Sequence, residues 1–229
     1  MRQSDSKLVR ALPLFSDMRE ENFDELMNAA FLQRFPKHLT LITEGSLPDF
    51  LHIVVEGSVE IFSGYDGQEI AIETMQPVSA FILAAAIRDD VYLASARTLT
   101  PAQVLMIPVK IVRDVFGKDI AFGSAIVNEL ALRFRSIMRA LKNGKLRTGS
   151  ERLANWILHA DALQGNQQRI KMTISKRALA SSLGMTPENL SRNFSVLAKY
   201  GVKSSGRNIV IGDASALEGF AKPNSLIDG

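Results

Sequence analysis

The sequence predicts an α+β chain in three parts: an N-terminal β-roll of the cupin-like jelly-roll kind, a long helix, and a C-terminal winged helix-turn-helix. Three observations predict it. Short segments rich in β-branched residues recur between glycines from about residue 31 to 109. An apolar stripe at helical spacing follows, made of Ile126, Leu130, Phe134, Ile137 and Leu141. Further on, Ala180, Gly184 and Leu190 fall where a helix-turn-helix needs a small residue, a turn and an apolar anchor. The expected boundaries are 1–110 for the β-roll, 111–145 for the long helix and 146–229 for the winged domain.

The elements follow in order. A short helix is expected over 16–30, opened by Ser16 or Asp17, with Phe23, Leu26, Met27 and Ala30 on one side. Strands are expected at 50–55, 58–62, 68–72 and 103–107, punctuated by Gly45, Gly57, Gly64 and Gly67. From about 110 to 143 the pattern turns helical. Val127, Ala131 and Met138 widen the apolar stripe, and Arg133, Arg135, Arg139 and Lys142 fill much of the remaining surface, as in a coiled-coil-like seam. Residues 143–149 read as a hinge, and 150–163 as a helix with Trp156 as a core anchor. Residues 203–211 read as a β-hairpin wing, and the tail after Phe220 is expected to be mobile.

Charge is divided unevenly. Residues 1–120 carry 11 Lys and Arg against 17 Asp and Glu, whereas residues 121–229 carry 16 against 7. A basic C-terminal half on an acidic N-terminal half suggests that the second half binds a polyanion. The chain has no cysteine, which excludes disulfides, thiolate-ligated zinc, cysteine-ligated Fe–S clusters and cysteine nucleophiles. No apolar run approaches a membrane span, and the N-terminus lacks the apolar core of a signal peptide. A cytoplasmic protein without a membrane partner is therefore expected. His38, His52 and His159 lie at no metal-ligand spacing, so no metal is expected. No phosphate-cradling or nucleophile-elbow motif occurs, and no enzyme activity is expected.

The region 180–192 carries the sharpest signal. Thr186 suits the cap of a second helix, and Pro187 suits its first position, where a missing N–H costs nothing. Glu188, Ser191 and Arg192 share one helix face, while Leu190, Phe194 and Leu197 share another. A polar face near a helix N-terminus fits the DNA major groove. Arg bonds guanine O6 and N7, Glu accepts from cytosine N4, and Ser reaches an edge or a thymine methyl. Lys176, Thr186 and Arg207 complete the candidate DNA contacts. Two copies read a palindromic operator, so the stripe from Ile126 to Leu141 is expected to join a homodimer.

With that order of elements in place, the chain resembles the Crp/Fnr superfamily of transcription regulators over roughly residues 12 to 215. The residues that carry the resemblance are Leu12-Pro-Leu-Phe15, Glu44-Gly45, Val55-Glu-Gly57-Ser-Val59 and Glu188-x-x-Ser191-Arg192. The last resembles an Fnr-type recognition helix, which implies TTGAT half-sites in an inverted repeat. Arg192 and Glu188 would then read the G·C pair and Ser191 the neighbouring thymine. An activator of this kind would also meet RNA polymerase.

The sensor departs from the family pattern. A cyclic-nucleotide cassette resembles Pro-Gly-Asp-x-Phe-Gly-Glu followed by Arg-Ser-Ala. Here the Glu position holds Leu83 and the Arg position holds Ala94. A cyclic phosphate buried there would be unpaired, at a cost of several kcal/mol, so cyclic AMP is not the expected effector. The expected pocket is apolar, lined by Phe81, Ile82, Leu83, Tyr92 and Ser95 with Phe134, Ile137 and Met138 from the helix; Ser95, Tyr92 or Arg97 supplies the polar contact. The resemblance implies either a small aromatic acid such as 4-hydroxybenzoate, or haem responding to NO or CO, although no haem attachment motif is present. Two other readings stay open: these residues simply fill a core, or the C-terminal half is a binding module that never meets DNA.

Overall fold

A computed structural model describes residues 3–228. It divides into two compact units, Met1–Arg133 and Phe134–Gly229. Among the described residues, no helix is long and apolar enough to cross a membrane.

The first unit opens with α1 (Gln3–Arg10) and α2 (Glu20–Ala29). Strands β1 (Phe31–Phe35), β2 (Thr40–Ile42), β3 (Phe50–Glu56), β4 (Val59–Tyr65), β5 (Gln68–Met75) and β6 (Ser79–Phe81) follow. After α3 (Leu83–Arg88) come β7 (Ser95–Thr98), β8 (Ala102–Pro108), α4 (Val109–Phe116) and the start of α5 (Ile120–Leu146). Two four-stranded antiparallel sheets, β1-β8-β3-β6 and β2-β7-β4-β5, make the β-roll.

Strand β3 shows why residues 50–55 do not alternate between apolar and polar. Leu51, Ile53 and Val55 enter a core with Phe15, Phe23, Leu26, Val112, Phe122 and Ile126. Val54 enters the roll interior with Ile42, Ile61, Phe81, Ala96 and Val104. A strand buried on both faces loses its alternation. Gly57 links β3 to β4 at φ +82°, and a Cβ there would lie 2.3 Å from the Pro101 carbonyl oxygen, so the turn requires glycine.

Two expected boundaries move. The first helix over 16–30 begins at Glu20, because residues 12–16 form turns that bury Phe15. The single helical region from 110 divides into α4 and α5 at Asp119, whose side chain is 1% exposed. Its Oδ1 accepts from the Phe122 N–H (3.0 Å), capping α5; its Oδ2 accepts from Asn22 Nδ2 (2.7 Å) and the Arg19 N–H (3.1 Å), tying α5 to α2. Burial alone would raise the Asp119 carboxyl pKa, but these donors hold it below the usual carboxylate range.

The second unit contains α6 (Gly149–Leu163), β9 (Arg169–Lys171), α7 (Lys176–Ser182) and α8 (Pro187–Leu197). Then come β10 (Val202–Ser205), β11 (Asn208–Ile211), α9 (Ala214–Ala221) and α10 (Ser225–Asp228). Strands β10, β11 and β9 form the small wing sheet. The core joins Leu153, Ile157, Leu179, Leu190, Leu197, Val202, Ile209 and Leu217, with Trp156 half-buried against it.

Here two expectations are corrected. The hinge over 143–149 shrinks to Arg147 and Thr148, since α5 runs on to Leu146 through Gly144. The tail after Phe220 is built into the fold: Phe220 stacks on Tyr200 at 4.3 Å, and Asp228 pairs with Arg147.

Candidate nucleic-acid interface and effector region

The helix-turn-helix is α7 and α8. Ser175 Oγ accepts from the Ala178 N–H (3.1 Å) to start α7, and Gly184 turns the chain at φ +62°. Thr186 Oγ1 then accepts from the Asn189 N–H (3.2 Å), and Pro187 opens α8. Leu190 and Leu197 are buried and Phe194 is half-buried, which orients α8 and leaves Glu188, Ser191 and Arg192 exposed together. Hydrogen bonds from its own backbone and from Thr186, with Arg192 nearby, hold the Glu188 carboxyl below its usual range, so it stays an acceptor.

The remaining predicted DNA contacts frame this face. Lys176 Nζ lies 5.5 Å from the centre of the Phe194 ring. Arg207 sits exposed in the turn of the β10–β11 wing. A groove of about 430 Å³ runs between α8 and the wing, with Lys176, Ser191, Ser195, Lys203 and Ser204 among its walls. Lys203 and Ser204 were absent from the sequence-based set, because only strand pairing brings the wing beside α8; Ser195, one turn beyond Ser191 on α8 itself, was absent as well. Asn193 was also missed: its Oδ1 accepts from Ser150 Oγ (3.2 Å) and fixes α8 to α6.

The predicted effector residues do not all converge. Phe81 and Tyr92 are buried inside the roll with Ala94 and Ala96, and Ile82 packs partly against them. Leu83 packs instead in the other core, with α2 and α4, so it is removed from the lining. Arg97 follows the interior Ala96 and points to the opposite face of its strand. It lies cross-strand from Glu60, pairs with Glu60 and Glu69, and stands over the Phe62 ring at 4.1 Å, so it too is removed. Ser95 Oγ accepts from the Glu44 N–H (3.0 Å). Tyr92 donates to the Phe50 carbonyl (3.2 Å), and burial with the nearby Asp49 charge pushes its hydroxyl up to about 12.

Two polar features were not foreseen. His52, a cross-strand partner of Phe81 and Met106, is 4% exposed, with its ring 5.3 Å from that of Phe81. Burial pushes its pKa down to about 4, so it is neutral near pH 7. Arg133 of α5 pairs with Glu73 on β5 (2.5 Å) and with Glu129 (3.3 Å). Among the described residues, no group of three or more acidic or histidine side chains is placed to hold a metal ion.

Along α5 the seam changes register. Ile126 is fully buried in the core of its own chain and Leu130 is half-buried against it, so neither offers a face to a partner. The exposed stripe is Ile120, Val127, Ala131, Phe134, Met138 and Leu141, with Ser124 completing alternating steps of four and three. Ile137, beside this stripe, is 63% exposed.

Two family models match this chain: a cyclic nucleotide-binding domain over residues 32–119 and a Crp-like helix-turn-helix domain over 151–220. No curated protein matches. Among solved structures, one described as a cAMP-binding regulatory protein from Silicibacter pomeroyi is 25% identical, covers 97% of this chain and 100% of its own, and has a TM-score of 0.54. A protein assigned to the transcriptional regulators of the Crp/Fnr family from Eubacterium rectale is 19% identical, covers 93% and 99%, and has a TM-score of 0.73. FixK2 from Bradyrhizobium japonicum is 20% identical, covers 86% and 99%, and has a TM-score of 0.67. These last two speak to the fold.

Proposed function

Because the chain belongs to the Crp/Fnr family of DNA-binding transcription regulators, which are not enzymes, we propose that it is a cytoplasmic homodimer that binds TTGAT-type inverted repeats under the control of a small effector. The observation that carries the DNA reading is the joint exposure of Glu188, Ser191 and Arg192 on a capped helix. Base readout needs a bidentate cation and an ionised acceptor on one accessible helix face, and these residues supply both. The exposed stripe on α5 supports the dimer, with its seam through Val127, Phe134, Met138 and Leu141 rather than Ile126 and Leu130. Contact with RNA polymerase would follow if the protein activates.

The proposed effector is a small, mostly apolar molecule such as an aromatic acid, bound at the roll through Phe81, Ile82 and Tyr92. Cyclic AMP fits poorly, since Ala94, where the cyclic-nucleotide pattern has Arg, leaves its phosphate without a cation. The haem reading has less support than the aromatic one. His38 is exposed, and His52 is packed between the Phe50 and Phe81 rings inside the roll.

Fluorescence anisotropy at fixed salt tests the reading, because nonspecific affinity is salt-dominated. A TTGAT-N4-ATCAA duplex is compared with one whose half-site G·C pairs are changed to A·T. A preference above about tenfold, lost in Arg192→Ala, is expected. The assay is repeated with 4-hydroxybenzoate, with cyclic AMP and with haem. If no condition produces a preference, the half-site assignment fails; no binding to either duplex would favour the DNA-independent module.

A further inference from the structure

The junction of α5 and α6 is only two residues long, and both are held. Thr148 and Glu151 form a reciprocal capping box, with the Thr148 N–H donating to Glu151 Oε2 (2.8 Å). The Arg147 side chain is 7% exposed and forks onto Asp228, Nη1 to Oδ1 (2.5 Å) and Nη2 to Oδ2 (2.7 Å). It also donates to Asn143 Oδ1 (3.2 Å) on the preceding turn of α5. The same Asp228 oxygen that meets Nη2 accepts from the Asn224 N–H (2.8 Å), and Lys142 Nζ reaches the Leu226 carbonyl (3.3 Å). The C-terminal turn is thus fastened to the last two turns of α5.

The contact does not stop at the hinge. Arg152 Nη1 donates to the Arg147 carbonyl (2.8 Å), and its Nε donates to the Leu183 carbonyl (2.9 Å) just before the turn between α7 and α8. Asn155 Nδ2 donates to the Glu151 carbonyl (2.9 Å) and to the Ala221 carbonyl (2.7 Å), joining α6 to the end of α9. A continuous set of charge-assisted bonds therefore runs from the C-terminal turn, through the hinge, to the helix-turn-helix.

We propose that Arg147 and Asp228 form a latch that fixes the α5–α6 hinge, and so sets the separation at which the two recognition helices of a dimer meet DNA. The Arg147 side chain is buried while that of Asp228 is 28% exposed, so the pair contributes little net stability. It disfavours any arrangement that leaves the buried Arg147 charge without its partner, so its effect is to select a geometry. The fork needs both Asp228 oxygens and both Arg147 amino groups, which a rotated hinge would separate. Arg147 and Asp228 act as positioning residues; neither lies on the face of α8 that meets bases.

This inference rests on the operator reading above, and its test separates the two. Full-length wild type, Asp228→Asn and Arg147→Lys are compared on duplexes with TTGAT half-sites separated by three, four or five base pairs, and on a single half-site. Asp228→Asn keeps its size, and Arg147→Lys keeps the charge while losing the fork. The expected result is a wild-type spacing preference of about tenfold that falls to within about threefold in both variants, with single half-site affinity and G·C dependence unchanged. Hydrogen exchange, measured without DNA, is expected to rise about tenfold at amides 143–151 in both variants. Unchanged exchange overturns the latch. Faster exchange with an intact spacing preference overturns its positioning role. If wild type shows no sequence preference, the operator reading fails, and exchange alone then decides whether the latch exists.

Discussion

Replacing Asp119 by Ala should destabilise the chain by about 3–4 kcal/mol, and the contacts say how. Loss of the cap on the Phe122 N–H costs about 1 kcal/mol. The Asn22 amide, itself 4% exposed, loses a charged acceptor at 2.7 Å and is stranded, which costs about 1.5–3 kcal/mol. The Arg19 N–H lies at the start of α2 beside a side chain that is 59% exposed, so water replaces much of its bond. Asp119→Asn should cost only about 1–2 kcal/mol, because its carbonyl oxygen still caps α5 and Asn22 can turn its own amide to match. Urea unfolding measures both. With a slope near 2 kcal/mol/M, the Ala variant should lose about 1.5–2 M from its far-UV midpoint. Trp156, the only tryptophan, lies in the second unit and shows whether that unit melts with the first.

The pH dependence has a definite sign. The folded Asp119 pKa lies below its ordinary 3.8, so its stabilisation is complete above that value and is lost as pH falls through the folded pKa. The gap between wild type and the Ala variant should stay flat from neutral pH to about 4 and close only below. An Ala variant within about 0.5 kcal/mol of wild type would show that Asp119 does not organise the start of α5.

Other outcomes follow from the same contacts. Arg192→Ala should weaken binding to the intact operator by about 1–3 kcal/mol while nonspecific affinity, read by anisotropy, changes far less. Phe134→Asp, placed twice in a symmetric seam, should cost about 3–6 kcal/mol of association; a wild type that sediments as a monomer would refute the seam itself. His52→Phe should flatten the stability–pH profile between 6.5 and 4, because the unfolded chain takes up a proton in that window while the buried imidazole, with a pKa of about 4, does not. An unchanged slope there would mean that His52 reaches solvent.

Much of the architecture was legible because it rests on local chemistry. The α8 cap at Thr186, the turn at Gly184 and the turn at Gly57 are each forced by the identity of one residue. What escaped depends on residues far apart in the chain. Ile126 and Val127 are adjacent and equally apolar, and only the packing of Phe122 and Ile126 against Phe15 and Val112 decides which one faces its own core. Arg97 suited an effector contact until strand register placed it beside Glu60. The tail looked mobile because it is polar, yet its anchor, Arg147, lies 81 positions before Asp228.

The roll interior constrains the effector further than its apolar walls do. Its buried polar groups, His52 and Tyr92, are both held neutral: burial disfavours the imidazolium in one and the phenolate in the other. Such an interior supplies dipoles and no counter-charge, so an anion buried there would stay unpaired. An aromatic acid could bind only with its ring inside and its carboxylate outside the apolar roll. Arg133 is a cation of α5 that reaches β5, and Glu73 and Glu129 already pair with it. A carboxylate held by Arg133 would have to displace Glu73, breaking the bond between α5 and β5. On the proposed reading, the affinity of 4-hydroxybenzoate should therefore rise in Glu73→Gln, which frees Arg133, and fall in Arg133→Gln, as isothermal titration would measure. Equal affinities in the two variants would exclude Arg133 as the carboxylate's partner.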